Sequence, residues 1–267
     1  MVVMNTTMTM KAESTPLLAI DGKCATLTLN RPSRRNSLGD DDLRTLLAHF
    51  DTLNAHPDVQ VVVLTAITTG HAKPVFCAGY HVGGFESDEH DPNFFEQIPD
   101  ALERLRPISI CAMNGSVYGG ATDLMLACDL RLGLFGAELR MPAAALGLHY
   151  YPSGLRRYVS RLGLNLAKRA FLTGKAIPLE ALQSANLFEA LLSADDFDAG
   201  VQACVQGVLC MAPLAMQSTK ASLNELAAGH YHEEALRARE VLTANSHDFA
   251  EGRQAFAERR PARFEGR

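Results

Sequence analysis

Gly115-Ser116-Val117-Tyr118-Gly119-Gly120-Ala121-Thr122-Asp123 runs directly into Leu124-Met125-Leu126-Ala127-Cys128-Asp129. A glycine turn stands before an apolar run of helical length, and a carboxylate follows the second glycine by three residues. A helix starting near Gly120 leaves unpaired backbone N–H groups and the positive end of its dipole facing the loop. Such an end holds a negatively charged oxygen. Asp123 then sits one turn in, close enough to exchange a proton with whatever is bound. The stretch predicts chemistry on an oxyanion.

Outward from the turn, residues 108–113 read as a buried strand that feeds it, and residues 130–134 as the next strand. Residues 24–30 alternate like a half-buried strand that stops at Arg31-Pro32. Residues 40–53 carry Leu43, Leu46, Leu47, Phe50 and Leu53 at helical spacing, with Asp40 to Asp42 in the first turn. The β-branched run 59–65 reads as a buried strand. A loop through Gly70 and Pro74 leads to Val75-Phe76-Cys77-Ala78-Gly79, and after the acidic segment 86–91 comes a helix over 94–105. Alternating strands and helices imply an α/β fold with crossover connections. From about Asp195 the pattern turns to amphipathic helices, over 197–211, 213–228, 233–245 and 249–259. The expected organisation is a disordered leader over 1–15, a core over 16–195 and a helical region over 196–267.

The chain has 267 residues, 47% hydrophobic and 21% charged, and a formal net charge of −5. That is the makeup of a globular protein with a substantial core. The charge argues against a nucleic-acid surface spread over the whole molecule. The six cysteines form no CxxC pair and lie mostly in apolar runs, as buried free thiols in a reduced compartment do. The first residues lack a basic start and a small-residue cleavage site, and no run reaches the roughly 18 apolar residues of a membrane span. The expectation is a cytoplasmic protein with no membrane partner. The acidic run Asp88-Glu89-His90-Asp91 lacks a metal-ligand spacing and is read as a solvated loop near the pocket entrance, with no metal.

Taken together, these residues resemble the crotonase superfamily, also called the enoyl-CoA hydratase/isomerase family, from Ala19 to the C-terminus. The signposts are Leu29-Asn30-Arg31-Pro32 with Asn36-Ser37-Leu38, then Phe76-Cys77-Ala78-Gly79, Asn114-Gly115 through Asp123, Cys128-Asp129, and Leu146-Gly147-Leu148. Asp248-Phe249-Ala250-Glu251-Gly252, Phe256, Arg259-Arg260-Pro261 and Phe264 complete the set. The resemblance implies a spiral of repeated β-β-α units in two sheets, a helical C-terminal region, and assembly into homotrimers or hexamers. It also implies an acyl-CoA substrate, with no cofactor beyond its CoA moiety. Enolate-like charge would develop on the thioester oxygen between two backbone N–H donors, which by position are Tyr80 and Gly120.

The acid–base pair of a family hydratase is two glutamates. The first falls on Asp123, one methylene shorter, so its oxygens retreat by about 1.5 Å, one C–C bond. Catalysis responds to displacements of that size. The second falls on Ala143, which transfers no proton. Candidate substitutes are His149, Tyr150 and Tyr151 after Leu146-Gly147-Leu148, and His81 beside Tyr80. Each also has a plain structural reading: the first three as pocket filling, His81 as a loop hydrogen bond, and Asp123 as a brace for the helix start. By position, Arg35, Ala78, Tyr80, His81, Phe256 and Arg259 would contact the CoA, with Arg34 a further candidate. A lone Asp123 favours isomerase- or decarboxylase-like chemistry over two-glutamate hydration. A non-catalytic acyl-CoA-binding protein is the alternative.

Overall fold

The computed structural model describes residues 12–81, 91 and 93–267. β1 (Leu17–Asp21) and β2 (Cys24–Leu29) form an antiparallel hairpin, and α1 (Asp40–Ala55) follows. Three successive β-β-α units come next. The first is β3 (Val61–Ala66), β4 (Val75–Cys77) and α2 (Gln97–Glu103). The second is β5 (Ile108–Met113), β6 (Ser116–Tyr118) and α3 (Ala121–Ala127). The third is β7 (Leu130–Leu134), β8 (Glu138–Arg140) and α4 (Pro152–Thr173), the last broken at Gly163. β9 (Ile177–Pro178), α5 (Leu179–Leu182) and β10 (Ala190–Leu192) lead to α6 (Phe197–Leu209), α7 (Pro213–Ala228), α8 (Glu233–Ala244) and α9 (His247–Glu258).

Each unit lays its first strand in one sheet and its second in the other. The six-stranded sheet runs β1-β2-β3-β5-β7-β10 and is parallel from β2 onward. The smaller sheet runs β4-β6-β8-β9. This is the expected spiral, and it has a consequence for the site: the loops leaving β4 and β6 emerge side by side, because those two strands pair directly. The main core packs α1 to α4 against the sheets, through Leu27, Leu43, Phe50, Phe76, Leu124 and Tyr158 among others.

The boundary near residue 195 marks a change of element type, but α6 belongs to the core. Its Phe197, Val201, Val205 and Val208 cover Val61, Val63, Ile108, Ile110 and Leu132 on the other face of the large sheet. Burial of each such side chain stabilises by about 1.5–3 kcal/mol. α7 is tied to the core by Lys220, whose ammonium lies 2.6 Å from Asp129 Oδ2 and donates to the Pro107 carbonyl at 2.8 Å. The chain is also fixed earlier than the expected leader allows: Ser33 donates to the Glu13 carboxylate, and Asn30 to Ala12 O and Ser14 Oγ.

Several short elements and one long helix escaped the periodicity. Ser116–Tyr118 is a short strand inside what reads as a turn. α4 carries a buried stripe of Gly154, Arg157, Tyr158, Leu162, Ala167 and Ala170. A charged residue on that stripe and a non-helical glycine at 163 (φ 73°, ψ 160°) interrupt the apolar period that would have announced it.

Candidate active site

The site starts from a turn that looks unremarkable in the sequence. Asn36 adopts φ 53° and is buried; its amide donates to Ile67 O and its oxygen accepts from the Arg31 N–H. So fixed, residues 35–38 act as a template for the loop after β4. Ala78 donates to Arg35 O, Leu38 donates to Gly79 O, and His81 donates to Leu38 O. In this parallel bridge between Leu38 and Tyr80, the backbone N–H of Tyr80 points away from Leu38, toward the opposite edge.

The loop between β6 and α3 occupies that edge. Gly79 has φ 91°, and a Cβ there would stand 2.7 Å from Tyr118 O and 3.1 Å from Gly120 N. Only glycine permits both the conformation and the approach. Gly120 caps α3 in helical conformation, and no acceptor for its N–H occurs among the described residues. The backbones of 79–80 and 119–120 thus converge, as two separated donors for one oxyanion must.

Asp123 follows one turn into α3 and is fully buried. Both of its oxygens are engaged. Arg157 Nε donates to Oδ1 at 2.8 Å and Arg157 Nη2 to Oδ2 at 2.7 Å, while the Tyr151 hydroxyl donates to Oδ2 at 2.6 Å. Arg157 is itself fully buried and donates through Nη1 to Asp100 at 2.7 Å and Glu103 at 3.2 Å. Glu103 also meets Arg156 and Arg161. Three carboxylates on α2 and α3 therefore face three guanidiniums on α4, a balanced network whose centre, Asp123, Arg157 and Glu103, is buried. Burial alone would lower the Arg157 pKa, but the hydrogen bonds and charge of Asp123 outweigh it and hold the guanidinium charged. Asp123 thus accepts three hydrogen bonds from groups that hold it in place.

Aromatic rings line the remaining space. Tyr151 caps α4, with Pro152 as the first helical residue, and stacks on Tyr150 at 4.2 Å between centroids. The Tyr150 hydroxyl donates to the Tyr151 oxygen at 3.0 Å. Burial, and then the Asp123 charge, push the Tyr151 hydroxyl well above its ordinary pKa. The Tyr80 hydroxyl donates to Asp40 at 2.7 Å and is pushed up to about 12, by burial first and then by Asp40. Both phenols stay protonated at neutral pH.

Of the residues singled out from the sequence, Ala78, Tyr80, Gly120, Asp123 and Tyr151 come together. Ala143 is buried at the start of a short helical turn and supplies no carboxylate. His149 lies on the surface, away from the buried position a pocket acid needs, and His81 is exposed, its N–H given to Leu38 O. Arg35 is exposed and serves the loop through its carbonyl. Phe256 is 87% exposed and lines a groove with Ala212, Phe249 and Phe264. Arg259 ends α9 at φ 53°. Among the described residues, no side-chain hydrogen bond joins Arg35, His149 or Arg259 to the oxyanion loops. The acidic run at 88–91 lies, save Asp91, outside the described residues.

A family model described as enoyl-CoA hydratase/isomerase matches residues 20–267. The chain is 29% identical over 252 residues to the 2,3-dehydroadipyl-CoA hydratase of Escherichia coli, covering 90% of this chain and 94% of that protein. It is likewise 29% identical over 260 residues to the human mitochondrial enoyl-CoA hydratase domain-containing protein 2, covering 90% and 85%. The crystal structure of enoyl-CoA hydratase from Bacillus anthracis shares the fold, with TM-score 0.83 at 23% identity over 95% of this chain and all of that one.

Proposed function

The chain belongs to the enoyl-CoA hydratase/isomerase family, and from that membership we propose that it turns over an acyl-CoA thioester whose oxygen takes up enolate charge between the Tyr80 and Gly120 N–H groups. One preorganised donor of this kind contributes about 2.7–4 kcal/mol to the transition state.

The observation that carries the choice of reaction is the closed pair of Asp123 with Arg157, at a site whose other family carboxylate is Ala143. Hydration needs two working carboxylates, and a double-bond shift needs one base. Loss of CO2 from a 2-carboxyacyl-CoA, of malonyl type, needs none. In that reaction the bond from Cα to the carboxylate breaks, its electron pair enters the enolate, CO2 departs, and a proton adds at Cα. Rings of Tyr80, Phe95 and Tyr151 around the site suit the step, because an apolar setting disfavours the substrate's free carboxylate relative to neutral CO2. The proton that adds at Cα comes from solvent, because the Tyr151 hydroxyl is given to Asp123 and held well above its ordinary pKa.

The same locked carboxylate favours a second reading, an acyl-CoA-binding protein without turnover. One experiment separates the two: incubate the protein in D2O with malonyl-type, 2-enoyl, 3-enoyl and 3-hydroxyacyl CoA thioesters, and follow products by mass spectrometry. The expected result is decarboxylation with deuterium at Cα and no hydration. Rapid hydration of a 2-enoyl thioester overturns the proposal, and tight binding with no turnover of any class supports the second reading. The exposed apolar residues of the C-terminal helices, including Leu223, Val241 and Phe256, support assembly into three or six copies.

A further inference from the structure

Phe95 was not among the residues the sequence pointed to, yet its ring stands directly over Gly120. A Cβ at 120 would lie 2.5 Å from Phe95 Cζ, 2.6 Å from Cε1 and 3.2 Å from Cε2. The tip of the ring therefore packs against the Cα of Gly120, beside the N–H that would hold the thioester oxygen. Two further rings extend the wall: Tyr80 lies 5.8 Å from Phe95 and Tyr151 6.3 Å, at interplanar angles of 55° and 52°.

None of the three is loosely held. Tyr80 is tethered through its hydroxyl to Asp40, and Tyr151 to Asp123. Tyr151 is also backed by Tyr150, itself buried against Phe171 and Tyr158. Phe95 lies two residues before α2, and its carbonyl accepts from the Ile98 N–H at 3.1 Å. α2 in turn is clamped to α4 through Asp100 and Glu103 on Arg157. The backbone that carries the ring is thus anchored to a helix held by ion pairs, and its two aromatic neighbours are fixed by hydrogen bonds.

We propose that Phe95 limits the acyl group to short chains, by closing the chamber beyond the thioester carbon against the Tyr80 and Tyr151 rings. The inference rests on the acyl-CoA reading above and narrows its substrate class. Oversized groups are rejected by steric overlap with a fixed wall, whereas the CoA end is untouched. Truncating the ring opens room for several methylenes without removing either N–H donor.

The test uses unreactive S-alkyl-CoA thioethers with butyl, hexyl, octyl and dodecyl chains, titrated calorimetrically into the full-length protein. Methylene-scale differences in a closed apolar pocket discriminate by about 10- to 200-fold. Wild type should therefore bind butyl-CoA at least about 100-fold more tightly than dodecyl-CoA. Phe95→Ala should bring the two within about 5-fold of each other, chiefly by tightening the binding of dodecyl-CoA. Phe95→Leu, the milder change, should fall between, and it carries the test if circular dichroism shows the alanine variant unfolded. Equal affinity of wild type for butyl- and dodecyl-CoA, or an unchanged ratio in the variants, overturns the assignment. Failure of butyl-CoA and free CoA alike to bind wild type instead removes the acyl-CoA reading, and this proposal with it.

Discussion

Replacing Asp123 by asparagine keeps the shape of the side chain and removes its charge, which separates an anchoring role from an acid–base one. Asp123 and Arg157 are both fully buried and share two hydrogen bonds under 2.9 Å. Removing one partner of such a pair costs about 3–5 kcal/mol, because the other charge is left buried without it. Arg157 keeps Asp100 and Glu103, so the lower end of that range is expected. In a chain of this size each kcal/mol lowers the melting midpoint by about 2–4 °C, giving a fall of about 6–12 °C. Urea unfolding monitored by far-UV circular dichroism should show the midpoint shift at unchanged m-value. Arg157→Met should cost more, since Asp100, Glu103 and Asp123 all lose a common partner. The double variant Asp123→Leu/Arg157→Met should be less damaged than the sum of its single changes. Turnover by the folded Asp123→Asn protein should fall less than about 10-fold, whereas loss of a working general acid or base costs about 10²–10⁴. A stability loss under about 1 kcal/mol together with a rate loss in that larger range would refute the argument and make Asp123 the proton-transfer group.

Four other outcomes follow from the same geometry. Ala143→Glu should not install hydration of 2-enoyl thioesters, since Asp123 remains held by Arg157; measurable hydration by this variant would count against the locked-pair reading. Gly120→Ala drives a methyl into the Phe95 ring, an overpacking that costs about 1–3 kcal/mol, and a second change, Phe95→Ala, should restore most of that stability in thermal unfolding. Glu251 is held at about 2, below its ordinary 4.5, by hydrogen bonds first from Arg260 and then from the Arg263 N–H. Its native pKa is depressed, so its contribution is complete above about 4.5 and is lost as the pH falls toward 2; the Arg263 amide resonance should titrate with a midpoint near 2, and a midpoint at 4.5 would mean the clamp does not form in solution. Light scattering should give the mass of three or six chains, and a monomer at micromolar concentration would contradict the role assigned to the exposed faces of α7 to α9.

How much of this was legible beforehand depends on what each feature leaves in a sequence. The glycines at 79, 119 and 120 were readable because backbone donors require a residue type, and the type survives as a pattern. β3 and β5 were readable because burial writes near-continuous β-branched and apolar runs, and β7 because its leucines alternate with Arg131 and Gly133. β6, β8 and β9 are two or three residues long, too short for any period to register. Asn36 could be quoted as a signpost, but its work in templating the oxyanion loop depends on partners at Ile67 and Gly79 that only folding brings near.

The site's chemistry was the least readable part, for one physical reason. A carboxylate in a sequence has no visible partner, so Asp123 reads as available for proton transfer. Arg157 lies 34 residues away in a helix whose amphipathic pattern its own charge obscures, and Asp100 and Glu103 look like an exposed acidic face. In the reading proposed above, Asp123 ties α3 to α4 through Arg157 and orients Tyr151 instead of moving protons. A site without a second carboxylate cannot use the first in a two-residue hydration, so pairing it with an arginine sacrifices nothing. What the pair supplies in return, for the reaction proposed above, is a fixed wall beside the Tyr80 and Gly120 loops.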